Sequence, residues 1–485
     1  MSLNKGSLSI SDIYVGNTPI AAVYKGSDLV WQKQNGTYIE FIITEYKNNG
    51  SGMNEVNYSD PDAVSITYDN NGTPDLGTWE NWINDHFTPV MLKSNGTVDY
   101  ALNRDNLSYK ADGTTPSDVA NINYDGNAML QIKKFYIYVF TEESNDSAIN
   151  KYINVRISDT KIDNNYTCWG FVDENGNEQD YAYYALFCCH KDSNNKLRSI
   201  SGIDLSSNHL FNYSDAVTYA KNNGNGWDIS NLALENAIGL VLMMLYKTIN
   251  PLYKHNIDYL TPNPQDSNAP YLGKQNMSVA RYTGSRIADG GFPSNTNTQQ
   301  VKALWIENYW RSYNNGHSST WVNGLIAIRN SNLSSNDNYD ETNHYFLKYK
   351  LKAPYGVNLN VSEYNDMSDT NAFVYQSTSK QITDVAVYDN LLFAGKNYEY
   401  RAQGISSSTD NRFYFDSEAL GAKYTQFDAG TLYPVKTGYC IRGKYDGNAH
   451  FLCYQCWGKQ TGGNNFQTGS GRLTYLPQSS SNQGA

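Results

Sequence analysis

Gly224-Asn225-Gly226-Trp227-Asp228 is the stretch on which the reading of this chain turns, and near the end it is answered by Gly471-Arg472-Leu473-Thr474-Tyr475. The first stretch is a glycine-tryptophan corner joining two helical patterns, Asp215 to Asn222 and about Ile229 to Ile249. Ser214 stands where an N-cap oxygen would accept orphan backbone N–H groups. Gly224 follows the first helix where a left-handed residue is wanted, and Pro251 closes the second.

The second helix carries Ala237-Ile238-Gly239-Leu240-Val241-Leu242-Met243-Met244-Leu245. That run is too short to cross a bilayer, so it predicts a core helix and the hydrophobic centre of the C-terminal half. A long polar stretch to Gln300 follows. Then come an aromatic cluster, Trp305-Ile306-Glu307-Asn308-Tyr309-Trp310-Arg311, and Trp321 to Ile328, which alternates as a strand should.

This succession of helix, glycine-tryptophan corner, helix, long loop, aromatic cluster and strands resembles the C-type-lectin fold of the formylglycine-generating-enzyme superfamily. The closer likeness is to its non-enzymatic branch in bacteriophage and bacterial ligand-binding proteins, including those that present variable binding surfaces. It is a likeness of spaced motifs and covers roughly the last half to three-fifths of the chain. The resemblance implies a solvent-facing ligand surface just before the final Gly-Arg-Leu, here His450 through Phe466. Its residues with contact chemistry are Tyr454, Gln455, Trp457, Lys459, Gln460, Asn464, Asn465 and Phe466. Tyr and Trp offer large, stiff, amphipathic area at small entropic cost, and Asn and Gln adapt their hydrogen bonds. On the residues alone, Trp457 and Phe466 as core and the rest as ordinary loop is the competing account.

A second signature opens the chain. Ile10 to Ile20, with Ile13-Tyr14-Val15-Gly16-Asn17, leads to Val23 to Trp31, with Tyr24-Lys25-Gly26-Ser27 and then Leu29 and Trp31. Alternating apolar residues around Gly-Asn and Gly-Ser turns predict a small meander of strands. About thirty residues bury little core alone, so the meander should dock on something. The segment resembles one at the N-termini of bacteriophage tail and fibre proteins. That likeness implies a virion anchor formed by Ile13, Tyr14, Val15, Tyr24, Leu29 and Trp31.

Composition agrees. The 485 residues allow two to four domains, and 41 Tyr, abundant Asn, Ser and Gly and only 18% charged residues describe a β-rich, turn-rich virion or extracellular surface. A net charge of −11 would repel nucleic acid and anionic membranes, so neither is expected as a partner. Residues 1 to 9 are polar with no apolar run behind them, which speaks against a secretory signal. Assembly in the host cytoplasm and release by lysis would need none.

Cys168, Cys188, Cys189, Cys440, Cys453 and Cys456 are expected as buried reduced thiols, as suits a particle assembled in a reducing cytoplasm. Cys453-Tyr454-Gln455-Cys456 has the spacing of half a zinc site, which His450 and Cys440 could complete, but structural zinc sites usually show two matched pairs. The oxidases of the superfamily use a more widely spaced cysteine pair, so their chemistry is not assigned. No metal and no cofactor is expected.

Residues 36 to 199 match no family by eye. Tyr38 to Ile43, Phe135 to Phe140 and Tyr152 to Ile157 read as strands between Asn, Asp and Gly loops. A β-sandwich-like region is the default, and these strands could equally belong to the C-terminal domain. Further strands are expected at His344 to Leu351, Val357 to Val361, Ile382 to Tyr388 and Arg412 to Phe415.

No catalytic motif stands out. There is no His-Glu-x-x-His, no Gly-x-Ser-x-Gly and no phosphate-cradling loop. The carboxylate pairs Asp173/Glu174 and Glu142/Glu143 fall in polar loops, and Asp69-Asn70-Asn71-Gly72 and Asp173-Glu174-Asn175-Gly176 suit turns better than calcium loops.

The expectation is an α+β, mostly β protein. It has an N-terminal β meander (1–35), a β-rich middle (36–199), a C-type-lectin-like domain with two helices (200–477) and a polar tail (478–485). As a bacteriophage head or tail fibre it would bind other virion proteins through its N-terminus and a host glycan or surface protein through its lectin-like domain, as a closed homo-oligomer without membrane insertion. A purely structural decoration or tail component and a glycan-degrading fibre are the alternatives.

Overall fold

The computed structural model describes residues 38–46, 55–68, 74–203 apart from 174, 211, 213–247, 304–309, 320–323 and 471–478, together with the backbone of strands elsewhere in the chain. Its centre is a six-stranded antiparallel sheet. In order across the sheet the strands are Val98–Ala101, Phe87–Lys93, Gly126–Lys133, Tyr181–Ala185, Leu473–Tyr475 and Trp227–Ile229.

Strand residues alternate between faces, and here both faces are buried. Phe87, Met91, Ala128, Leu130, Ile132, Ala182 and Tyr184 enter one core, while Val90, Leu92, Met129, Tyr183, Ala185, Leu473 and Tyr475 enter another.

The first core is shared with a four-stranded antiparallel sheet, Tyr136–Glu143, Ile149–Ser158, Ile39–Tyr46 and Glu55–Tyr58. That sheet contributes Phe41, Ile43, Val56, Ile153, Val155 and Ile157. Helix α3, Leu232–Tyr246, is buried in the same core from Ala233 to Tyr246, as a helix apolar all round must be. The Asn231 side chain caps it by accepting from the Leu234 N–H at 3.0 Å. At its other end Lys247 takes a left-handed conformation. Its last carbonyls accept from the Tyr58 hydroxyl (to Met244, 2.6 Å) and the Ile66 N–H (to Leu245, 2.9 Å).

The second core holds helix α2, Tyr213–Lys221, through Ala216, Val217 and Ala220, with Phe211, Trp227 and Trp321. The earlier helix α1, Glu80–His86, runs directly into Phe87–Lys93.

Two local expectations are corrected. The second helix begins at Leu232 rather than near Ile229, because Trp227–Ile229 pairs with Leu473–Tyr475 and is drawn into the sheet edge. Ser214 is no N-cap: it lies inside the first turn of α2, where its carbonyl accepts from the Thr218 hydroxyl at 2.8 Å. Strands on either side of residue 199 share the six-stranded sheet, so hydrogen bonds run between the middle and C-terminal parts of the chain.

At the N-terminus, Ile13–Val15 pairs with Thr18–Ile20 and Ala22–Lys25 with Asp28–Gln32. The registers bring Val15 opposite Thr18 and Lys25 opposite Asp28, while Gly16-Asn17 and Gly26-Ser27 lie outside the described residues.

An eight-stranded sheet runs Phe373–Ser377, Tyr345–Lys350, Thr320–Arg329, Leu432–Gly438, Cys453–Cys456, Tyr414–Asp416, Val385–Asp389 and Arg401–Gly404. Three of the four later strand expectations fall on members of this sheet, and Val357 to Val361 lies outside the described residues. Thr320–Arg329 serves both parts: Trp321 and Val322 sit in the two cores, while Leu325 to Arg329 pair with Tyr345 to Tyr349.

The protein is α+β and mostly β, with three α-helices among the described residues. None of those helices is long and apolar enough to cross a membrane.

Candidate functional site

The closing motif shows why glycine, arginine and leucine stand together. Gly471 lies so close to Leu197 that a Cβ there would meet its Cδ2 at 2.7 Å. Leu473 is fully buried in the second core. Arg472 is buried with them, its Nη1 donating to the Ala185 carbonyl at 3.2 Å and its guanidinium lying 5.3 Å from the centre of the Tyr184 ring.

A buried guanidinium needs negative charge nearby, and Glu235 supplies it from α3. The Glu235 carboxylate accepts from Tyr184 Oη at 2.7 Å and from Ser230 Oγ. Burial pushes its carboxyl pKa up, against those hydrogen bonds and the pull of Arg472.

Beside this pair lies a second polar network. Asn323 Nδ2 donates to Asp228 Oδ1 at 2.9 Å, Tyr213 Oη donates to Asn323 Oδ1, and the Asn323 N–H donates to the Ser230 carbonyl at 2.8 Å. Thr474 Oγ1 donates to the Asp228 and Ile229 carbonyls at 3.1 Å each. The glycine-tryptophan corner, α3, the strand Thr320–Arg329 and the closing strand are thereby joined in one buried polar seam.

The expected ligand residues belong to the segment that enters this seam at Gly471. Tyr454 and Gln455 lie in the strand Cys453–Cys456, which pairs antiparallel with Leu432–Gly438 (Thr437↔Tyr454, Lys436↔Gln455) and parallel with Tyr414–Asp416. Lys459 and Gln460 pair with Gln426 and Thr425. Trp457, Asn464, Asn465 and Phe466 lie outside the described residues. The anchoring residues Ile13, Tyr14, Val15, Tyr24, Leu29 and Trp31 fall in three of the four N-terminal strands, Ile13–Val15, Ala22–Lys25 and Asp28–Gln32.

Cys168, Cys188 and Cys189 are buried. Burial pushes the Cys168 thiol up to about 12, with Glu178 adding to the shift. Cys189 Sγ stands in for a backbone acceptor, taking the Leu473 N–H at 3.3 Å.

Asp173 is consumed by its own turn. Its Oδ1 accepts from the Asn175 and Asn177 N–H groups at 2.9 and 2.8 Å, and its Oδ2 from Gln179 Nε2 at 2.9 Å, with Gly176 at φ +85°. Glu142 and Glu143 are exposed at the end of Tyr136–Glu143.

Sequence reasoning missed a cluster of Asp85, His86 and Asp159. Asp85 and His86 are adjacent and Asp159 is remote, a spacing that matches no motif. No protein-family model matches the chain, and no curated protein matches it in sequence.

Proposed function

We propose that this protein is a bacteriophage virion component, a head or tail fibre that attaches the particle to a host surface through a lectin-like C-terminal domain. The observation carrying this reading is the place of Leu473–Tyr475 inside the six-stranded sheet, hydrogen-bonded between Tyr181–Ala185 and Trp227–Ile229. A segment that enters the sheet through a locked, buried strand can vary in sequence without unfolding its support. Among the described residues, the two cores draw on positions from Phe41 to Val322 and from Leu473 to Leu476. Tyr454, Gln455, Trp457, Lys459, Gln460, Asn464, Asn465 and Phe466 then form the adhesive surface, and repeated copies on one particle multiply weak contacts into stable attachment.

The N-terminal hairpins support the anchoring half of the reading. Each is a two-stranded unit, which is marginal alone in water and gains stability by docking on a partner surface.

The test compares binding to intact candidate host cells by the wild type and by a Tyr454→Ala, Trp457→Ala, Phe466→Ala variant with an unchanged melting curve. Loss of binding supports the adhesive surface, and undiminished binding removes it. If the wild type binds no cells, the structural-component reading replaces adhesion. Release of sugars from host glycans by the wild type would instead favour a degrading fibre.

A further inference from the structure

We infer that the outer face of the four-stranded sheet binds an uncharged saccharide at the ion pair of Arg156 and Glu40. Side chains alternate along each strand, so the register fixes which of them look away from the first core. Tyr138, Arg156 and Glu40 stand directly opposite one another on three adjacent strands, and Phe140, Asn154 and Ile42 do so in the next row. The alternate set, with Phe41, Ile43, Val155 and Ile157, lies in the first core.

The centre of this face is braced. Arg156 Nε donates to Glu40 Oε1 at 2.5 Å, and Ser59 Oγ donates to Glu40 Oε2 at 2.7 Å. The guanidinium lies against the Tyr38 and Phe140 rings, 4.6 and 4.8 Å from their centres. Tyr138 and Phe140 pack ring on ring, with centroids 5.0 Å apart and 26° between planes. Groups held in this way lose little freedom when a ligand arrives.

Braced is not sealed. The side chains of Arg156 and Glu40 are 21% and 17% exposed. A guanidinium carries five N–H donors, and Glu40 takes the one on Nε. Asn154, between Phe140 and Ile42, is 4% exposed, and its Nδ2 has no hydrogen-bond partner. A buried donor left unpaired is costly, and a ligand oxygen that reaches the amide relieves it.

These groups select the chemistry of the ligand. An anion drawn to Arg156 meets the carboxylate of Glu40, and a cation meets the reverse, so the pair favours an uncharged molecule. Neighbouring sugar hydroxyls fit it, because one accepts from the guanidinium while the next donates to the carboxylate. The C–H face of the sugar ring then packs on Tyr138 and Phe140. A protein partner fits less well, since the cores of protein interfaces are depleted in charge and this face carries its ion pair at the centre. The site is separate from Tyr454 to Phe466 and does not rest on the adhesive reading of that segment.

The test probes an array of neutral glycans, ending in glucose, galactose, mannose or N-acetylhexosamine, and of sialylated and sulfated glycans with the full chain. Calorimetry then measures the free oligosaccharide that binds best. The wild type is expected to bind a neutral glycan. Arg156→Lys keeps a cation beside Glu40 but loses the planar fork, and Phe140→Ser removes one ring of the wall. Each, once its melting curve shows a folded protein, should weaken binding about tenfold, as the loss of one hydrogen bond to a charged group implies. The Tyr454→Ala, Trp457→Ala, Phe466→Ala variant should bind this glycan as the wild type does. The proposal is overturned if no neutral glycan is bound, if binding is confined to acidic glycans, or if both face variants bind with wild-type affinity. Loss of binding in the C-terminal variant alone would likewise overturn it and move the sugar to that surface. Impaired attachment of the face variants to host cells, with no glycan bound by the wild type, would assign the face to a protein partner instead.

Discussion

Trp227 and Tyr475 are directly opposed across two neighbouring strands, their ring centroids 4.9 Å apart, although most of the C-terminal half of the chain lies between them. Trp227 Nε1 donates to the Ser94 carbonyl at 2.8 Å, and the Leu476 N–H donates to the Gly226 carbonyl at 3.0 Å. The corner and the terminal motif are thus two halves of one unit, joined by a cross-strand aromatic pair.

Gly226 should therefore be intolerant of any side chain. Its φ is +80°, and a Cβ would meet the Leu476 carbonyl oxygen at 2.5 Å and Tyr475 Cε2 at 2.8 Å. Left-handed strain plus a clash with backbone predicts a loss of about 3 kcal/mol or more for Gly226→Ala. Gly176 has a similar φ of +85° but open space around it, so Gly176→Ala should cost only about 1 kcal/mol. Urea denaturation of both variants decides the matter, and equal losses would show that the close approach to Tyr475 contributes nothing.

The closing strand should be indispensable to folding. Leu473–Tyr475 bonds to Tyr181–Ala185 on one side and Trp227–Ile229 on the other, so its removal would expose the edge of Tyr181–Ala185 and detach Trp227–Ile229 from the sheet. A chain ending at residue 470 is expected to lose cooperative thermal unfolding, while one ending at Gln478 keeps the wild-type melting curve. Cooperative melting of the shorter chain at the wild-type temperature would mean that the strand is an accessory.

Asn323 ties the strand Thr320–Arg329 to the corner, and its replacement should be costly. Asn323→Leu removes both the donor to Asp228 and the acceptor for Tyr213 in a buried site, a change worth about 2–4 kcal/mol. Asn323→Asp places a second carboxylate beside Asp228, which raises the pKa of the pair in the folded state. Stability lost in this way is recovered as pH falls and the carboxyl takes up a proton. Denaturation midpoints at pH 7.5 and pH 5 should therefore draw closer to wild type at the lower pH, and a constant gap would argue against a shared site.

Local chemistry made much of this fold legible. The apolar alternation on either side of Gly16-Asn17 and Gly26-Ser27 announced two antiparallel strand pairs, and the apolar run from Ala237 to Leu245 announced a buried helix. What the sequence hid was non-local pairing. Trp227 to Ile229 continue smoothly into a helical pattern, and only the partner strand some way down the chain explains why they are extended. The same limit applies to the cluster of Asp85, His86 and Asp159, where Asp159 comes from a remote part of the chain to within 3.1 Å of His86. The residues from Tyr454 to Phe466 were singled out by their contact chemistry and by the motif after them, and no periodicity in the segment itself reveals which side chains face solvent.

His190 should make stability depend on pH in a defined window. It is 4% exposed, and burial together with the nearby Arg198 guanidinium lowers its pKa from 6.5 to about 4, with Asp192 opposing the shift. The folded state thus favours the neutral ring, whereas the unfolded chain binds a proton near the ordinary value. This contribution is fully present above about pH 6.5, declines as pH falls and is gone below about pH 4; integrated over the window it amounts to about 3 kcal/mol. Buried Glu235, whose pKa is raised, acts in the opposite sense, so the comparison must be made between variants rather than read from the wild type alone. Urea midpoints measured from pH 7.5 to pH 4.5 should fall more steeply for the wild type than for His190→Gln, which cannot titrate. Parallel curves for the two proteins would show that His190 is protonated as readily in the folded protein as in the unfolded chain.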